Sequence, residues 1–261
     1  MDKSEAQQRH EGPIVLPGQT LMFLGDHTSP DAEGYVRVVR DVVARFHPAL
    51  RPTLISTGSS EQTARALNSD VLQNLLVSSH PDWLIIGIGL ADAFREPLLP
   101  PLVEQWQLAR ASTSAEVTTF GQERSGNGSG HNSSPVASNT LSRLSPFKSN
   151  LGEAVMKMAA GGLRPVLLTT ILVGDDLSYP LNAMLRHYNK AIRSVAEENS
   201  ALLVDIERAC NDLFTRAGQY KQKVALAGYR GDISPQGEAL LARTLLQALG
   251  LLPYPGYRAR K

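Results

Sequence analysis

Five short runs dominate the sequence: "TLMFL" (20–24), "TLIST" (53–57), "WLIIGIG" (83–89), "PVLLTTILV" (165–173) and "ALLVDI" (201–206). They are apolar along nearly their whole length instead of alternating with polar residues. That pattern belongs to parallel strands covered on both faces. Segments of helical period lie between them. Residues 34–46 put Val36, Val39, Val43 and Phe46 on one side. Residues 59–77 open with Ser59 and Gln62 at capping-box spacing, then set Ala66, Leu67, Val71, Leu75 and Leu76 on one stripe. Two later helices are expected over 181–199, after Pro180, and over 236–249, after Pro235. Alternation of this kind predicts an α/β domain with a parallel sheet and right-handed crossovers.

One stretch breaks the rhythm. Residues 109–146 are rich in Ser, Gly, Asn and Thr and poor in large apolar side chains. Such a composition buries too little surface to offset its ordering entropy, so a disordered insertion is expected there. The remainder of 17–252 reads as a single domain, with a flexible N-terminus over 1–16 and a tail over 253–261. Of the 261 residues, 42% are hydrophobic, enough for a sizeable core. The formal net charge is +1 and no long basic run occurs, so neither a nucleic acid nor a membrane is expected as a partner. The single cysteine, Cys210, allows no intramolecular disulfide and no Cys-rich zinc site. The first residues contain no apolar signal-peptide core, and a cytoplasmic location is expected. "GIGLAD" (87–92) begins like a dinucleotide fingerprint but has Asp92 where the third glycine belongs. No cofactor and no resident metal are predicted.

In open parallel sheets, ligands bind beyond the carboxyl ends of the strands. The first run is followed there by Gly25, Asp26 and His27, the second by Gly58, and the third by Ala91 and Asp92. The fourth is followed by Gly174, Asp175 and Asp176, while "GYRGDISPQG" brings Asp232 and Ser234 just before the last helix.

The order and spacing of these blocks resemble the SGNH hydrolases, also called GDSL esterases and lipases. "HPDWLIIGIGLADAF" is similar to their third block, "RHYNKAIRSVAEENSALLVDIERA" to their penultimate helix and fifth strand, and "GDISPQGEALLARTLLQAL" to their closing block and helix. The resemblance implies a flavodoxin-like three-layer α/β/α sandwich with a five-stranded parallel sheet. It puts the family's nucleophilic serine at His27, its oxyanion-hole asparagine at Ala91, its histidine base at Ser234 and the orienting aspartate at Gly231. Gly25, Asp26, Gly58 and Asp92 match the family pattern, and the Gly58 amide is the implied oxyanion donor.

Acyl transfer needs a nucleophile, a base for its proton and donors aimed at the developing oxyanion. Losing an oxyanion donor costs about 10²–10³ in rate, and losing a triad nucleophile or base up to about 10⁶. The substitutions therefore predict a catalytically impaired relative that binds a ligand or a partner. A small acyl or carbohydrate ester is the implied ligand, and the insertion's protein partner is not identified by its sequence. The expected pocket walls are Gly25, Asp26, His27, Gly58, Ala91, Asp92, Asp232 and Ser234. Two active alternatives are open. A swapped His27–Ser234 pair, with Asp232 or Asp26 orienting the imidazole, would keep hydrolysis. Convergence of Asp26, His27, Asp92 and Asp232 on a divalent ion would give metal chemistry. In the plainest reading Ser234 is a helix N-cap with Pro235 at the first helical position.

Overall fold

The computed structural model describes residues 13–26, 34–59, 62–117, 136–219 and 224–252. Five strands form one parallel sheet: β1 (Thr20–Gly25), β2 (Thr53–Ser56), β3 (Trp83–Gly87), β4 (Arg164–Leu168) and β5 (Leu202–Val204). Their spatial order is β2-β1-β3-β4-β5. All neighbours run parallel, with Leu21 opposite Trp83 and Gly25 opposite Gly87 in the central pair. β1, β3 and most of β4 are buried along their lengths, which explains their unbroken apolar character. This is the flavodoxin-like arrangement expected from the sequence.

Helices cover both faces. On one side α1 (Tyr35–Phe46) packs on α8 (Pro235–Ala248), which also meets α7 (Ile206–Gln219). On the other, a 3₁₀ turn (Ala64–Asn68) and α2 (Asp70–Ser79) lie beside α5 (Leu144–Ala160), which packs on α6 (Pro180–Glu198). Two helices follow β3 in succession, the short α3 (Leu90–Phe94) and α4 (Leu99–Val117). Val36, Val39 and Val43 of α1 are buried as the spacing predicts, together with Tyr35, whereas Phe46 is exposed at the helix end.

Several boundaries differ from the sequence reading. The capping box at Ser59 and Gln62 does not start a helix. The chain forms the 3₁₀ turn first, and α2 begins at Asp70 behind Ser69, whose side chain accepts from the Leu72 amide. The predicted stripe is rotated accordingly: Leu67, Leu72 and Leu76 are buried, and Val71 is 79% exposed. The fourth run is a strand only to Leu168. Its remaining residues form a buried loop in which side chains satisfy two of the amides, Thr170 by Asn189 and Val173 by Asn182.

The edges of the polar segment 109–146 are structured. α4 continues through Val117, and after residue 135 the chain packs again with Leu141 buried and α5 starting at Leu144. Residues 118–135, the middle of the expected insertion, lie outside the described residues. The N-terminal boundary also moves, because Val15 is buried and the Ile14 amide donates to the Leu249 carbonyl. Among the described residues, no helix is long and apolar enough to cross a membrane.

Candidate functional site

The order of the strands reverses direction between β1 and β3, so the crevice for a ligand lies outside their carboxyl ends. The two strands approach closely there. A Cβ on Gly25 would stand 2.1 Å from the Gly87 carbonyl oxygen, so only glycine fits at the end of β1. Asp26 follows, 6% exposed, and its Oδ2 accepts from the amides of Gly89 (3.0 Å) and Ala91 (2.9 Å). One carboxylate thus ties β1 to the turn that starts α3. Gly89 takes φ 125° to make that turn. Burial and the Asp26 charge both push the Tyr35 hydroxyl upward.

Asp92 lies one residue beyond Ala91 and is 8% exposed; its Oδ2 accepts from the Ala64 amide at 3.0 Å. Burial raises its carboxyl to about 6. The Asp26 charge adds to the rise, and the Ala64 amide, Arg95 and Arg143 oppose it. Ala91 is buried and brings only a methyl group where the resemblance has a side-chain amide. Gly58 is buried behind Thr57, whose amide donates to the Phe23 carbonyl. A cleft of about 330 Å³ opens beside this turn, lined by Thr57, Ser59, Gln62 and Ser69 over Leu24 and Leu72.

The closing block is built differently. Ser234 caps α8: its hydroxyl donates to the Ala225 carbonyl (2.8 Å) and accepts from the Gly237 amide (3.1 Å), with Pro235 in the first turn. Gly231 has φ 89°, and a Cβ there would meet Leu90 Cδ2 at 2.7 Å and Phe94 Cε2 at 3.3 Å. Asp232 is exposed on the same loop. His27 lies outside the described residues, so its proposed pairing with Ser234 or with a metal falls outside them as well. Among the described residues, no three His, Cys, Asp or Glu side chains are grouped to hold a metal ion. Two other histidines are engaged elsewhere. His187 bonds the Val136 carbonyl from α6, and His80 ends α2 in the left-handed region. Cys210 is buried, which pushes its thiol up to about 12, far from a reactive thiolate.

Two features at this end of the molecule escaped the sequence reading. Glu96, 1% exposed after α3, accepts from the amides of Ser142 and Arg143, the Ser142 hydroxyl and, at 2.6 Å, the Tyr188 hydroxyl. It anchors the chain where it returns from the polar segment. Beyond β4, the rings of Trp106, Tyr179 and Tyr229 form a cluster with centroids 4.8–5.7 Å apart, Tyr179 edge to face with both others and Trp106 tilted against Tyr229. The Tyr229 hydroxyl donates to Asp175 Oδ1 at 2.5 Å, Arg110 pairs with Asp176 at 3.0 Å, and the Arg110 guanidinium covers Trp106 at 4.7 Å. No local spacing could reveal this group, since its rings come from three separate segments.

Strand order, the Gly25–Gly87 contact and the carboxylates that close the turns after β1 and β3 together define an SGNH-hydrolase-like α/β fold. No family model matches the chain. It is similar to an acetylxylan esterase from Geobacillus stearothermophilus, 22% identical over 247 residues that span 89% of this chain and 94% of that protein. The crystal structure of that enzyme, Axe2, superposes with a TM-score of 0.66 at 21% identity, covering 94% of this chain and 99% of that one. LAE5, an α/β hydrolase enzyme from the metagenome of Lake Arreo, Spain, gives a TM-score of 0.66 at 22% identity, over 93% of this chain and 100% of that one. Structures of catalytic mutants of Axe2 replace a serine, an aspartate and a histidine, the last two three positions apart in its chain.

Proposed function

We propose that this chain is an esterase-fold protein that binds a small acyl or carbohydrate ester at its strand-end mouth and is impaired in hydrolysing it. The observation that carries the reading is the closing block. A relay of nucleophile, base and orienting acid needs an aspartate side chain at the position of Gly231, where a Cβ would be strained by the left-handed backbone and would have to displace the Leu90 side chain. The resemblance puts the base at Ser234, whose hydroxyl is held by the Ala225 carbonyl and the Gly237 amide. That commitment also weighs against a swapped His27–Ser234 pair, because the proton a histidine would take is already donated to a carbonyl. The retained features suit binding: a mouth at the switch point, an amide at Gly58 and a rigid turn held by Asp26. The similarity to an enzyme named for acetylxylan supports a carbohydrate ester as the ligand class.

Kinetics with p-nitrophenyl acetate test the loss of catalysis, with wild type measured beside His27→Ala and Ser234→Ala. The expected result is three rates equal to buffer. A wild-type rate well above both variants would overturn the reading and establish an active, rearranged esterase.

A further inference from the structure

Tyr229 stands on the same loop as Ser234, and its surroundings fix its ring from several directions. Gly174, with φ 73°, lies flat beneath it: a Cβ at that position would fall 2.4 Å from Tyr229 Cε1 and 2.8 Å from Cδ1 and Cζ. Trp106 packs against it at a tilt and Tyr179 nearly at right angles, and Asp175 holds its hydroxyl. The residue is nonetheless 36% exposed, so part of a ring held by these contacts still reaches solvent. Exposed Asp175 and Arg110 and half-buried Asp176 surround it, bringing acceptors and donors to the rim.

A part-exposed aromatic ring held in place and bordered by carboxylates and a guanidinium has the chemistry of a pyranose site. The C–H face of a sugar covers the ring while its hydroxyls bond the charged rim. A ring already locked loses little side-chain freedom on binding. We infer that Tyr229 and its Asp175 and Arg110 rim form a platform for a neutral sugar unit, beside the mouth that takes the acyl group. This rests on the reading of the chain as a carbohydrate-ester binder and extends it by giving the sugar its own contact surface.

Calorimetric titration of the full chain with xylotriose, which carries no acyl group, and with acetylated xylo-oligosaccharide separates the two ideas. Tyr229→Leu keeps an apolar cover over Gly174 without a ring, and Tyr229→Phe keeps the ring without the Asp175 bond. Xylotriose should bind the wild type, weaken about tenfold or more in Tyr229→Leu (about 1.4 kcal/mol per tenfold) and weaken less in Tyr229→Phe. Thermal melts establish that both variants are folded. Should Tyr229→Leu fail to fold, its comparison with wild type is replaced by saturation-transfer NMR on wild type, where transfer from aromatic protons to xylotriose is required and its absence overturns the platform. Equal xylotriose binding by wild type and Tyr229→Leu overturns the platform. Binding of the acetylated ligand without xylotriose binding overturns the platform and leaves the ester-binding reading standing. Binding of neither overturns both.

Discussion

The two halves of the strand-end mouth have been built to different standards. At β1 and β3, backbone amides converge on side chains: Gly89 and Ala91 on Asp26, and Ala64 on Asp92. Beyond β4, the loop before α8 presents a left-handed glycine and a helix cap where the resemblance requires an acid and a base. The first half keeps the contacts that hold the scaffold together, while the second keeps neither the acid nor the base that the resemblance implies there.

The largest expected effect is on the scaffold side. Asp26→Ala removes the acceptor of two buried amides and should cost about 2–6 kcal/mol in urea denaturation, at roughly 1–3 kcal/mol for each unsatisfied group. On the other side, Gly231→Ala places a Cβ against Leu90 on a left-handed backbone and should cost about 2 kcal/mol by the same method. A tolerated alanine would mean the loop relaxes easily and that the missing aspartate is not excluded by its backbone.

Asp92 gives a test through pH. Its folded carboxyl lies near 6, above the ordinary 3.8. The folded state therefore keeps a proton that the unfolded chain releases between those values. Stability from this group falls as pH rises through that window, and the penalty persists above it. Two units correspond to at most about 3 kcal/mol. Asp92→Asn keeps an oxygen for the Ala64 amide and removes the charge, so it should stabilise by about 1–2 kcal/mol near pH 7.5 and not at all near pH 4. Equal effects at the two pH values would show that burial, and not charge, dominates the substitution. The smallest change is Ser234→Ala, expected to cost about 1 kcal/mol as a lost N-cap, with ester turnover unmoved.

Much of this architecture was legible in the chain. Strands buried on both faces must be apolar throughout, so the five runs and their order announced the sheet. Helix starts were less legible: Ser59 and Ser69 are both acceptable caps, and burial of Leu67 and Leu72 decides between them. The edges of the polar segment were misjudged because a few residues, Leu141 among them, pack where the average composition predicts nothing. Asp26 and Asp92 could be found from their positions after the strands. Glu96 could not, because its partners are 46 and 92 residues away. Neither could the Trp106–Tyr179–Tyr229 group, which exists only once the chain is folded.

The central claim, binding at the mouth without hydrolysis, is tested most directly by ¹H NMR of acetylated xylo-oligosaccharide mixed with the wild-type protein. The prediction is broadened ligand resonances with free acetate accumulating no faster than in buffer. Acetate released above that rate, and reduced to it by Ser234→Ala, would contradict the account.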